Sequence, residues 1–160
     1  MAAQRGVYTV SFAATTFTAA NGDYDFFEIT PADDKPVEIV AIDIGNKTEL
    51  GDAQEEQVAW SIVRGHATTG NGTATTARAL DPSDGAASFT AETVGSTIAS
   101  AGTAITVYQS TFNIRTGLYM VFPEIMRPKA SQADTLLVVR LLTALADDAD
   151  LTGTLFIREL

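Results

Sequence analysis

The sequence predicts an all-β chain, a β-sandwich of jelly-roll type with about eight or nine strands and long loops. Three observations predict it. Apolar side chains recur at every second position through most of the chain. The segments that carry them are rich in β-branched and aromatic residues. They follow one another at intervals of about 10–20 residues, with Gly, Pro, Asn and Asp in the gaps. A chain of 160 residues suits one domain, taken here as residues 1–160.

In the first segment Tyr8, Val10 and Phe12 share one face, and Val7, Thr9 and Ser11 share the other. Residues 24–30 are aromatic and β-branched, and Pro31 ends them. Between Pro36 and Asn46 the run is apolar on both faces, as in a strand covered on two sides. Val58, Trp60 and Ile62 put large side chains on one face, with Ala59, Ser61 and Val63 opposite. Further strands are expected at 87–94, 104–112, 117–122, 135–143 and 152–159. The region 130–146 has a second reading, because Leu137, Leu141 and Leu145 would also align on a helix. The Val138-Val139 pair and the flanking threonines favour a strand.

Three connections stand out. Residues 45–57 are acidic and could hold one helical turn at Asp52-Ala-Gln-Glu-Glu56. Residues 65–85 form a Thr/Gly/Asn-rich stretch without strong periodicity, longer than most compact domains use. Residues 123–134 carry Arg127-Pro-Lys129 and Ser131-Gln132.

The formal charge of −10, from 20 acidic and 10 basic residues, argues against binding to phosphate backbones or to anionic membranes. The basic residues are scattered from Arg5 to Arg158, and none belongs to a run that could act as a patch. The first residues lack the apolar core of a secretory signal, and no apolar stretch approaches the ~20 residues of a membrane span. The expected site of synthesis is the cytoplasm. With no cysteine there is no disulfide or thiolate metal site.

The search for chemistry yields no catalytic residue. His66, the one histidine, is too few for a structural zinc site, and no Gly-x-Ser-x-Gly or comparable nucleophile setting accompanies it. It reads as a loop-edge residue that packs or hydrogen-bonds. The carboxylates at Asp23 and Asp25, Asp33-Asp34 and Asp147-Asp148-Ala-Asp150 could each give oxygen ligands to a weak calcium site, but they match no twelve-residue calcium loop, and they are what turns require. No phosphate loop is present, since residues 65–72 lack the Gly-Lys-Ser/Thr ending. Tyr24 and Tyr119 are the aromatics that could form an exposed sugar platform, while most of the others are expected in the core. No enzyme activity, metal or cofactor is expected.

Several strings resemble a group of small proteins encoded in the structural gene clusters of tailed phages and prophages. They are Arg5-Gly-Val-Tyr-Thr-Val-Ser-Phe12, Ile29-Thr-Pro-Ala-Asp-Asp-Lys-Pro-Val-Glu-Ile39, Arg64-Gly-His66, Leu80-Asp-Pro82, Phe112-Asn-Ile-Arg115 and Thr152-Gly-Thr-Leu-Phe-Ile-Arg-Glu-Leu160. The resemblance is one of general pattern. It implies a virion component, with a capsid decoration (cement) protein as the first choice, and a homo-oligomer, a trimer first, sitting on the major capsid protein at the capsid surface. A carbohydrate- or receptor-binding sandwich of a tail, and a head–tail connector or tail component, are the alternatives. The resemblance carries no functional residues across. Interface candidates come from the residues themselves: His66, Thr68, Thr69, Asn71, Thr73 and Arg78 in the long stretch, and Arg127 in the later one. Small side chains there would let a neighbouring backbone approach closely, although a plain mobile surface loop is the alternative.

Overall fold

The computed structural model describes residues 6–48, 55–131 and 135–160. Among them are twelve strands: β1 (Val7–Phe17), β2 (Tyr24–Thr30), β3 (Val37–Asn46), β4 (Gln57–His66), β5 (Thr73–Thr75), β6 (Arg78–Ala79), β7 (Thr90–Gly95), β8 (Ile105–Asn113), β9 (Leu118–Val121), β10 (Lys129–Ala130), β11 (Leu136–Leu141) and β12 (Ala149–Glu159). Single 3-10 turns occupy Ala19–Asn21 and Glu124–Met126. The described residues contain no α-helix.

Two antiparallel sheets of six strands pack face to face as a β-sandwich. The first runs β10-β3-β12-β1-β6, and β9 joins β3 on the same edge as β10. The second runs β5-β7-β2-β11-β4-β8. The main strands visit the sheets in a palindromic order. β1, β2, β3 and β4 alternate first, second, first, second, and β8, β9, β11 and β12 then alternate second, first, second, first.

The alternation expected of the first strand places Tyr8, Val10 and Phe12 in the core, and β4 does the same with Val58, Trp60 and Ile62. Phe17, Phe26 and Phe27 fill the middle, and Phe12 lies 5.3 Å from Phe27 between ring centroids. Burying such side chains contributes roughly 1.5–3 kcal/mol each. Residues 136–141 form a strand, with no residue of it exposed. The helical alternative for that region therefore falls.

The expected count of eight or nine strands is corrected to twelve. All nine expected segments contain a strand, and β5, β6 and β10 are additions of two or three residues each. Such short strands owe their conformation to a partner and leave no periodicity of their own. The stretch 65–85 is accordingly not one loop: β5 pairs with β7 and β6 pairs with β1. Residues 52–54 of the expected helical turn, and Gln132, lie outside the described residues, and residues 55 and 56 are irregular.

The outer faces of the two sheets differ. On the second sheet Phe27, Ile29, Leu137 and Val139 point into the sandwich, whereas Leu136 and Val138 form a separate small cluster with Ala99 on the far side. That far side is covered by residues 67–71 and 96–103. They run over it side by side, joined at Thr68 and Ser100 by two backbone hydrogen bonds of 3.0 and 2.9 Å. Gly65 (φ +97) and Gly102 (φ +69) let this cover close on β4. A Cβ on Gly65 would stand 2.2 Å from the Thr103 carbonyl oxygen, and one on Gly102 the same distance from that of Gly65.

Candidate functional site

The cover layer receives most of the interface candidates. His66 ends β4, is buried, and its Nδ1 lies 3.2 Å from the Ala101 carbonyl oxygen, the packing role expected of it. Thr68 is exposed but holds Ser100 through its backbone, and Thr69 follows it, half-buried. Asn71 ties the two segments together: its Oδ1 accepts from the Thr97 N–H at 2.8 Å, and its own N–H donates to the Thr97 carbonyl at 3.1 Å. Thr73 opens β5 opposite Thr93, and exposed Arg78 faces Thr9 across β6 and β1. The backbone bonds of this stretch are thus used within the chain.

Beneath the cover lie buried charges, and Asp25, expected to serve a turn, is corrected to a fully buried residue of β2. Asp25 and Arg140 face each other on β2 and β11, and Nε–Oδ1 and Nη2–Oδ2 distances of 2.5 and 3.0 Å make a two-point ion pair. Ala99 completes it, donating its N–H to Asp25 Oδ2 at 2.6 Å and accepting from Arg140 Nη2 at 3.1 Å. Glu28, 1% exposed, accepts the Gly70 N–H at 2.8 Å. Burial pushes the Glu28 carboxyl up to about 7; the Gly70 bond opposes this, and the nearby Asp25 and Glu92 carboxylates add to it. Gly70 has no room for a side chain, since a Cβ would stand 1.8 Å from the Thr97 carbonyl oxygen. Gly70→Ala is expected to separate the two cover segments and destabilise the protein by about 1–3 kcal/mol in a urea melt.

A different surface emerges beside the cover, along the sheet edges. β8 is the edge of the second sheet and β9 and β10 form an edge of the first. Of the eight exposed large apolar side chains among the described residues, six lie on this rim: Ile105, Val107, Tyr119, Val121, Ile125 and Met126. Ile125 is 96% exposed and Tyr119 72%. β8 has nine residues and neither a charge nor a proline, the usual protections of an edge strand.

The fold also gathers basic residues that are scattered in sequence, which corrects the expectation that they form no patch. Arg127, Lys129 and Arg158 converge on Glu38, whose side chain is fully buried, with N–O distances of 2.7, 3.1 and 2.7 Å. Arg158 also reaches Glu124 at 3.0 Å, and exposed Arg64 directs Nη1 to the Lys129 carbonyl at 3.5 Å. Burial opposes ionisation of Glu38. It is outweighed by the hydrogen bonds from Arg127 and Lys129 and the charge of Arg158, which hold the carboxyl below its usual range. Of the interface candidates only Arg127 belongs to this corner, where it links the rim to the buried carboxylate.

The aromatic platform is corrected in part. Tyr24 is buried, its hydroxyl bonded to Thr18 at 2.9 Å, because β2 is covered on both sides. Tyr119 stands free on the outer face of the first sheet, opposite Asp43.

Compared with protein-family models, with curated proteins and with solved structures, the chain matches none.

Proposed function

We propose that the chain is a structural component of a tailed-phage virion, a decoration (cement) protein. It is made in the host cytoplasm and stabilises the head shell through contacts among its own copies, a trimer first, and with the major capsid protein. The observation that carries this reading is the rim. Six exposed apolar side chains and a long unprotected edge strand on one side of a sandwich are what a subunit contact requires. A shell component needs matching surfaces rather than a reactive pocket, and symmetric repetition multiplies a modest contact over many sites. No enzymatic, nucleic-acid or membrane role is part of this reading.

The jelly-roll arrangement belongs to the same proposal. The orders β1-β12-β3-β9 and β2-β11-β4-β8 support it, with β5, β6 and β7 as an insertion that widens both sheets on the far side.

Light scattering at micromolar concentration should give a multiple of the 16.9 kDa chain mass. Labelled protein should co-sediment with expanded capsids of its own phage. A strict monomer that stays in the supernatant when such capsids sediment would remove the reading.

Tyr119, opposite Asp43, favours a second reading, a carbohydrate- or receptor-binding sandwich of a tail. Glycan-array binding that Tyr119→Ala abolishes would select it.

A further inference from the structure

Two unlike features lie at one end of the first sheet, on its opposite edges. One is a cleft of about 390 Å³ lined by Arg64, Val107, Ile125, Met126, Arg127 and Lys129, with an apolar floor and a cationic wall. The other is the turn after β6. There Leu80 is 57% exposed, and Asp81 is fixed by accepting the Ser83 N–H at 2.9 Å and the Ser83 hydroxyl at 2.8 Å. A single cross-strand row connects the two. The Leu80 N–H bonds the Val7 carbonyl, Val7 faces Arg158, Arg158 faces Glu38, and Glu38 faces Lys129. Plug and socket therefore stand at the same height on opposite flanks of the sheet.

Their chemistry is complementary. The cleft offers apolar side chains beside cations, and the turn offers an exposed leucine followed by an aspartate. Apart from Leu80 and Leu160, the described residues carry no exposed large apolar side chain off the rim. A partner for the cationic wall needs surplus acid, and this chain has 20 acidic residues against 10 basic. Arg78, two residues before Leu80, faces Thr9 on the outer face of the sheet. Contact between unlike patches on opposite flanks repeats head to tail, and it closes into a ring when the rotation permits.

We infer that the Leu80-Asp81 turn of a second copy seats in this cleft, with Leu80 against Ile125 and Met126 and Asp81 beside Arg64. The inference rests on the homo-oligomeric reading above and names the surfaces that would build it.

The test uses the full chain with Arg64→Glu, Asp81→Arg, both together, and Leu80→Ser, followed by light scattering over a concentration series. Circular-dichroism melts check that each variant is folded. Each charge reversal should weaken self-association by at least about tenfold, and the two combined should restore it to within about threefold. Leu80→Ser should weaken it without altering its salt dependence. The inference is overturned if either reversal leaves association unchanged, or if both weaken it and the combination does not recover. A wild-type oligomer indifferent to all four variants removes this contact and leaves the oligomeric reading standing. A wild-type monomer removes both.

Discussion

Replacing Arg140 by Met is expected to destabilise the protein by about 3–5 kcal/mol, a large share of the ~5–15 kcal/mol that holds a domain folded. The cause is what remains. Asp25, fully buried, would keep one backbone donor, Ala99, and lose both bonds from the guanidinium. The Ala99 carbonyl would lose its partner as well. The loss is a penalty for an orphaned charge more than a measure of the pair's own worth. Asp25→Leu combined with Arg140→Met should therefore recover most of the stability, because two apolar side chains would extend the cluster of Leu136, Val138 and Ala99 beside them. Urea midpoints of the two single variants and the double variant decide the matter. If Arg140→Met costs less than about 1 kcal/mol, the pair is not a buried one.

The second large effect depends on pH. With its carboxyl lifted from 4.5 to about 7, Glu28 is protonated in the fold and ionised in the unfolded chain between these values. The unfolded chain then binds fewer protons, so stability falls as the pH rises through this window, by about 3 kcal/mol in all. Glu28→Gln keeps an acceptor for the Gly70 N–H and removes the ionisation. The variant should melt higher than the parent at pH 8, match it near pH 4.5, and lose the slope between. An unchanged slope would assign it to other groups. Glu38 acts with the opposite sign. Its lowered carboxyl adds stability that is present above its ordinary range and is lost as the pH falls through the folded-state value.

Much of the sandwich could be read from alternation because most strands have one wet or half-wet face. Tyr8, Val10 and Phe12 alternate with residues that reach solvent, and so the period of two survives. It is erased at Leu136–Leu141, where the core buries Leu137, Val139 and Leu141 and the cover buries Leu136 and Val138. That double burial is why a helix competed for the segment. The cationic corner was hidden for a different reason. Arg64, Arg127, Lys129 and Arg158 come from β4, the segment before β10, β10 and β12, which only the sheet order and sandwich packing bring together. The buried pair did leave a trace. Asp25 and Glu28 interrupt an otherwise apolar strand, and Arg140 interrupts another; opposite charges inside two such runs are a sign of pairing across a sheet.

β12 lies between β1 and β3, and its register reaches from Val7 opposite Arg158 to Phe17 opposite Ala149. Of the twelve strands it is the last to leave the ribosome, yet two earlier ones await it as their common neighbour. The first sheet can therefore close only after β12 itself has been synthesised. Loop closure over so long a separation is entropically slow, and refolding in milliseconds to seconds, rather than microseconds, is the consequence.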